Sequence, residues 1–211
     1  MIIISGGDFI MISIYELKPK FQQLLKPIVN FLHKINITPN QVTVFACFLS
    51  IMTGVLFYFN YDSTWIYIVI PIFMFVRMAL NAIDGVLAKD FNLMSRLGKY
   101  LNELTDVISD AALFLPFILV VSPHPVTVMI FILLSIISEM AGVMGENISG
   151  VRQYSGPMGK SDRAFLIGAI SVLLIFWHSL THYLWIVFLI ASVLIVINTY
   201  TRVKKGLEEK A

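Results

Sequence analysis

Six stretches of this sequence, roughly Val42–Phe59, Trp65–Ala88, Lys99–Val121, Val126–Gly145, Ala164–Trp177 and Tyr183–Val203, consist mainly of apolar side chains. Most approach the ~20 residues an α-helix needs to cross the hydrocarbon layer of a bilayer. Backbone polar groups in that layer must be satisfied within the segment itself, which a helix achieves. The sequence therefore predicts an all-α integral membrane protein with six transmembrane helices. Composition agrees: 58% of the 211 residues are hydrophobic and 13% charged, and the mean hydropathy is +0.84. A soluble domain of this size could not cover its surface with so few charges. The fifth stretch is the shortest, with 14 residues from Ala164 to Trp177.

The few charges are not spread evenly. The connections Asn60–Thr64, Ser122–Pro125 and His178–His182 contain no Lys or Arg. Every basic residue except Arg77 falls in the N-terminal segment, the region from Lys89 to Lys99, the loop from Arg152 to Arg163, or the tail from Arg202 to Lys210. The positive-inside rule then places both termini and these loops on the cytoplasmic side of a multi-pass protein. Ahead of the first span, Ser13–Ile37 mixes Lys18, Lys20, Lys26 and Lys34 with apolar residues recurring at three and four. That pattern predicts an amphipathic helix lying on the membrane surface; a packed N-terminal helix is the alternative. Met1–Met11 lacks Lys and Arg, so it does not read as a cleaved signal peptide, and Met11 is an alternative start. The single Cys47 sits in an apolar run and gives no disulfide framework. One domain over residues 1–211 is expected, with an interfacial helix at 13–37 and a six-helix bundle at 42–203. Membrane lipids and a second copy of the chain are its expected partners, and nucleic acid is not.

Against this apolar background the stretch Asn81–Asp110 is conspicuously polar. On a helix, Asn81, Asp84 and Ala88 stand at i, i+3 and i+7, while Asn102, Asp106 and Asp110 repeat every four residues. Each set lines one helix face, and two such faces turned together make an oxygen-rich pocket. Oxygen ligands suit hard divalent cations such as Mg²⁺ or Mn²⁺, which neutralise phosphates. Arg77, one turn before Asn81, would be costly facing lipid and should point into the bundle towards carboxylate or phosphate. Glu139 and Glu146, seven residues apart in the fourth stretch, are candidates to pair with Arg77 or to supplement the metal site; closing a structural network between helices is the alternative.

The spacing here is N-x-x-D-G-x-x-A-K-x8-G-x3-N-x3-D. It resembles the D-x-x-D-G-x-x-A-R-x8-G-x3-D-x3-D motif of the integral-membrane CDP-alcohol phosphotransferases, with Asn81, Lys89 and Asn102 replacing Asp, Arg and Asp. The segment Thr38-Pro39-Asn40-Gln41-Val42-Thr43 also resembles that family, whose first membrane helix often opens with Thr-Pro-Asn-x-x-Thr near the nucleotide. The resemblance implies a phospholipid-synthesising enzyme that transfers a substituted phosphate from a CDP-linked donor, such as CDP-diacylglycerol, to an alcohol, releasing CMP. It implies metal ligands at Asn81, Asp84, Asn102 and Asp106, and a general base at Asp106. Thr43, Gly85, Ala88, Lys89 and Gly98 would lie against the nucleotide, with small residues admitting close approach. Asparagine keeps a carbonyl oxygen but not the charge, so a site with two of them should hold metal less tightly. A shifted register, with Asp106 and Asp110 as the third and fourth acids, would lengthen the x8 gap by one helical turn.

The loop 150–163 supplies Arg152, Lys160 and Arg163, cations suited to a phosphate-bearing acceptor or a lipid headgroup; positive-inside anchoring is the bland alternative. The acceptor alcohol stays open at this level. A catalytically silent lipid-binding or scaffold protein of the same fold is the competing function. A small transporter fits the helix count, but the motif charges lie near one membrane face rather than at the midplane.

Overall fold

The computed structural model describes the backbone of residues 4–5, 8–9 and 14–208 and the side chains of residues 21–208. The expectation for Met1–Met11 lies largely outside the described residues, as does the start of the interfacial segment at Ser13. Ile4–Ser5 and Asp8–Phe9 form a two-residue antiparallel ladder. All other regular structure among the described residues is helical: α1 (Ile14–Lys34), α2 (Pro39–Phe59), α3 (Ile66–Asp90), α4 (Arg96–Phe114), α5 (Phe117–Val120), α6 (Val126–Ser149), α7 (Lys160–Phe176), a 3-10 turn (His178–His182) and α8 (Leu184–Glu208).

Local chemistry sets the ends of these helices. Thr38 caps α2 through a capping box with Gln41, and Pro39 occupies the first turn, where its missing N–H costs nothing. Ser95 caps α4 by accepting from the Gly98 amide at 2.9 Å. α6 stops at Gly150, whose left-handed φ of 80° favours glycine.

The six apolar stretches each become helix, with two differences. Four helices, α2, α3, α6 and α8, are long and apolar enough to cross a membrane; α4 and α7 do not meet that measure. For α4 the reason is its charges, Arg96, Lys99, Glu103, Asp106 and Asp110; α7 has only 17 residues and begins with Lys160, Asp162 and Arg163. Secondly, the predicted single helix Lys99–Val121 is divided at Pro116, which has no N–H to continue the α-helical ladder.

The two ends of the bundle differ. At one end, Phe57, Tyr67, Phe114, Phe117, Phe131 and Phe188 form a core with edge-on ring contacts such as Phe57–Phe117 at 5.0 Å and Phe131–Phe188 at 5.2 Å. At the other, where α2, α4 and α7 begin and α3, α6 and α8 end, buried polar residues gather: Thr43, Arg77, Asp84, Asp110, Glu139, Arg163 and Arg202. Large apolar side chains such as Phe45, Ile72, Phe75, Leu133, Met140 and Ile190 face outward, as expected when the surrounding solvent is lipid.

Two contacts fix the frame around the polar end. Gly54 lets α2 cross α4 at backbone distance: a Cβ there would fall on the Ala112 carbonyl, 2.8 Å from its carbon. α1 buries Leu25 and Val29 with Ile83, Val86 and Leu87 of α3, while Leu24, Ile28 and Phe31 stay exposed on a neighbouring stripe. The helix is therefore packed against the bundle and still presents an apolar edge outward. Cys47 is free and buried.

Candidate active site

Asp84 leaves α3 towards the start of α2, where its Oδ2 accepts from Thr43 Oγ1 at 2.7 Å. The same hydroxyl lies 3.0 Å from the Pro39 carbonyl, so its one proton is shared between two acceptors. Asn81, one turn earlier on α3, donates to Asp106 Oδ1 of α4 at 3.3 Å. The polar faces of α3 and α4 thus meet, and Asp84 lies within electrostatic reach of both Asp106 and Lys160. Along α4, Asn102 is exposed, Asp106 half-buried and Asp110 buried, so the four-residue repeat runs from the mouth of the site into the bundle.

Gly85 is exposed, and a Cβ added to it would meet nothing within 4 Å, so open space lies in front of this turn of α3. Ala88 is half-buried beside it and Lys89 is exposed. Gly98 has a different reason to be small: a Cβ there would come within 2.7 Å of Asn40 Oδ1 and 3.0 Å of Ser95 Oγ. It closes the start of α4 onto the start of α2.

Cations surround the acids on the side away from Thr43. Arg77 is buried, with NH1 2.5 Å from Asp110 Oδ1 and NH2 3.1 Å from the Asp106 carbonyl and 3.7 Å from Asp106 Oδ1. Lys160 Nζ pairs with Asp106 Oδ2. Arg163 is fully buried between Glu139 Oε1 at 2.8 Å and Asp110 Oδ2 at 3.5 Å. Arg152 pairs with Glu103 and, at 3.2 Å, with Glu139. Burial lowers the Arg152 pKa from its ordinary value, the neighbouring Arg202 charge adding to that effect while Tyr154 opposes it. So the carboxylates Arg77 meets are Asp106 and Asp110; Glu139 serves Arg152, Arg163 and Arg202, and Glu146 pairs with Lys99 at 2.6 Å.

Sequence reasoning missed Glu103 and Arg202. Arg202, assigned to the basic tail, is buried, 3.3 Å from Glu139 and donating to the Ser138 carbonyl at 2.6 Å. The signal was its position four residues after Asn198, which accepts from Ser138 Oγ at 2.7 Å. Two polar residues on one face of an apolar helix point inward.

Four oxygen-bearing side chains, Asn81, Asp84, Asn102 and Asp106, were expected to hold metal. Two are carboxylates and two amides, and among the described residues no three His, Cys, Asp or Glu side chains come together as a metal cluster. Asn81 touches Asp106, and Asp84 lies within electrostatic reach of it, whereas Asn102 stands exposed at the mouth; oxygen donors of this kind suit a hard divalent cation rather than a soft metal.

Comparisons with known proteins bear on the family and the fold. Residues 36–201 match the family model for CDP-alcohol phosphatidyltransferase. The inner membrane protein YnbA of Escherichia coli (strain K12) is 38% identical over 198 residues, covering 92% of this chain and 96% of its own. The archaetidylinositol phosphate synthase of Pyrococcus horikoshii is 31% identical over 98 residues, covering 46% of this chain and 50% of its own. In fold, the chain is similar to the Mycobacterium tuberculosis phosphatidylinositol phosphate synthase with CDP-DAG bound. The TM-score is 0.74 at 18% identity, over 87% of this chain and 94% of that one. A structure of that protein in complex with manganese and citrate gives a TM-score of 0.72 at 20% identity, over 86% and 88%. The chain belongs to the CDP-alcohol phosphatidyltransferase family. It is a multi-pass membrane protein of that class, all-helical across the matched region.

Proposed function

We propose that this protein transfers a phosphatidyl or similar substituted phosphate from a CDP-linked lipid to an alcohol, releasing CMP. The observation that carries the reading is the contact of Asn81 with Asp106 between facing helices, one turn from Asp84 and its partner Thr43, at one end of the bundle. The open space before Gly85, edged by Ala88 and Lys89, suits a nucleotide lying along α3. Lys89 can meet a phosphate as a point charge, without the fork an arginine would offer. The CDP-DAG bound to the Mycobacterium protein of like fold supports a CDP-linked lipid donor.

In this reading Asn81, Asp84, Asn102 and Asp106 hold one Mg²⁺ or Mn²⁺, as the manganese in the Mycobacterium neighbour supports. When bound, such an ion offsets diphosphate charge. The chain's own residues do the rest. Thr43 fixes one carboxylate oxygen of Asp84. Asp106, steadied by Asn81, Arg77 and Lys160, accepts the proton of the incoming hydroxyl as that oxygen bonds to phosphorus and the bond to CMP breaks. The same end carries the basic loops, which supports placing it on the cytoplasmic side. There the exposed stripe Leu24, Ile28 and Phe31 of α1 would rest at the lipid interface. The alternating run of α2, α3, α4, α6, α7 and α8 supports six crossings.

The test is purified protein in lipid nanodiscs with CDP-diacylglycerol, Mg²⁺ or Mn²⁺ and a panel of alcohols, read as CMP release that a chelator suppresses. Folded protein that releases no CMP with any alcohol refutes the reading.

A further inference from the structure

Beside Asp106 the charges can be balanced residue by residue. Lys99, Glu103, Asp106 and Asp110 follow one another at four, three and four residues, a single stripe along α4, and each is ion-paired. Lys99 meets Glu146, Glu103 meets Arg152, Asp106 meets Lys160 and Arg77, and Asp110 meets Arg77 and Arg163. Behind them Glu139 takes Arg152, Arg163 and Arg202. Arg77, Arg152, Lys160, Arg163 and Arg202 therefore face Glu103, Asp106, Asp110 and Glu139, with Asp84 within reach as the fifth acid. The set is neutral, and each of its cations already has a carboxylate.

An acceptor hydroxyl delivered to Asp106 must sit among these groups. A phosphate monoester would bring close to two further negative charges at neutral pH. To bind, it would have to compete with a carboxylate for a cation, and a half-buried acid such as Glu103 would lose its partner. The donor's diphosphate and a divalent cation cancel to first order, and Lys89 lies against the donor in the reading above, so none of these provides a cation for the acceptor. Lys160, 34% exposed, is held by Asp106; among the arginines Arg152 is the most exposed, at 13%, and its partner Glu103 is 21% exposed, against 5% for Arg77, 2% for Arg202 and 0% for Arg163. Glu103 thus occupies the guanidinium that an entering phosphate would reach first.

We propose that the acceptor is an alcohol without a phosphate group, and that Glu103 determines this specificity by holding Arg152 in an internal ion pair. The proposal rests on the transferase reading above and deepens it. An uncharged polyol needs hydrogen bonds from the site but no counter-ion, so the network stays intact when it binds.

The test compares matched acceptors, glycerol with glycerol 3-phosphate and inositol with inositol 1-phosphate, in nanodiscs with CDP-diacylglycerol and Mn²⁺. In parallel, binding of radiolabelled glycerol 3-phosphate is measured by equilibrium dialysis. The wild type should use the unphosphorylated member of each pair by about tenfold or more in kcat/KM, and Glu103→Gln should bind glycerol 3-phosphate about tenfold more tightly than wild type. Glu103→Asp, which keeps the charge, should behave as wild type. Preference of the wild type for either phosphorylated acceptor, or binding of glycerol 3-phosphate by wild type as tight as by Glu103→Gln, overturns the proposal. If Glu103→Gln fails to fold, the wild-type acceptor preference decides alone. If instead the transferase reading fails, no acceptor releases CMP, and dialysis against wild type and Glu103→Gln still decides whether Glu103 excludes phosphate.

Discussion

Asp110→Asn separates the stability of the buried network from its chemistry. The substitution removes a charge that Arg77 meets at 2.5 Å and Arg163 at 3.5 Å, with side-chain exposures of 8%, 5% and 0% for Asp110, Arg77 and Arg163, so solvent screens little of the loss. Removing one partner of a buried ion pair costs about 3–5 kcal/mol. Here both cations keep another acceptor: Arg163 retains Glu139 at 2.8 Å, and Arg77 retains the Asp106 carbonyl at 3.1 Å. The cost should therefore fall near the lower end, about 3 kcal/mol. At roughly 2–4 °C per kcal/mol for a chain of this size, the melting temperature should drop by about 6–12 °C. Cys47 is the sole cysteine and is buried, so a thiol-reactive fluorophore reads unfolding directly. Well below the lowered melting temperature, Asp110→Asn should still release CMP, because Asp110 touches only cations of the network. A melting temperature within about 2 °C of wild type would refute the energetic argument. Loss of turnover in the folded variant, with Asp106→Asn active, would move the base one helical turn, to Asp110.

Other substitutions test the frame and the ligands. Gly54→Leu should destabilise the protein by about 1–3 kcal/mol or more, since its Cβ falls on the Ala112 carbonyl; an unchanged melting temperature would mean that α2 and α4 do not cross there. In a Cys47→Ser background, Ser63→Cys and Lys205→Cys should label from opposite sides of the membrane; labelling from the same side would overturn the six-crossing topology. Restoring charge with Asn81→Asp and Asn102→Asp together should lower the concentration of Mn²⁺ needed for half-maximal CMP release, and an unchanged requirement would show that these amides are not ligands.

The sequence announced the helices more clearly than their use. Apolar length alone located α2, α3, α6 and α8, because a helix satisfies its backbone within a single segment in hydrocarbon. It overestimated the third stretch, since hydropathy does not register that Pro116 lacks an N–H. The convergence of Asp84 and Asp106 was legible because helical periodicity fixes which residues share a face. The partners of the cations were not legible. Arg152, Lys160 and Arg163 looked like free phosphate ligands in a glycine-rich loop, and in the fold each meets a carboxylate from a distant helix. Such pairings depend on how α4, α6, α7 and α8 pack, which no local pattern states. The 99, 103, 106 and 110 stripe and the Asn198–Arg202 spacing were the local hints.

The account stands most directly on Asp106. CMP release from CDP-diacylglycerol should be compared between wild type and Asp106→Asn, both shown to be folded by Cys47 protection, with Mn²⁺ and an unphosphorylated polyol acceptor. Loss of a positioned general base typically costs about 10²–10⁴ in rate, so turnover by Asp106→Asn should fall by that factor while the nucleotide donor still binds. Turnover by folded Asp106→Asn within about threefold of wild type would contradict the assignment of Asp106 as the proton acceptor.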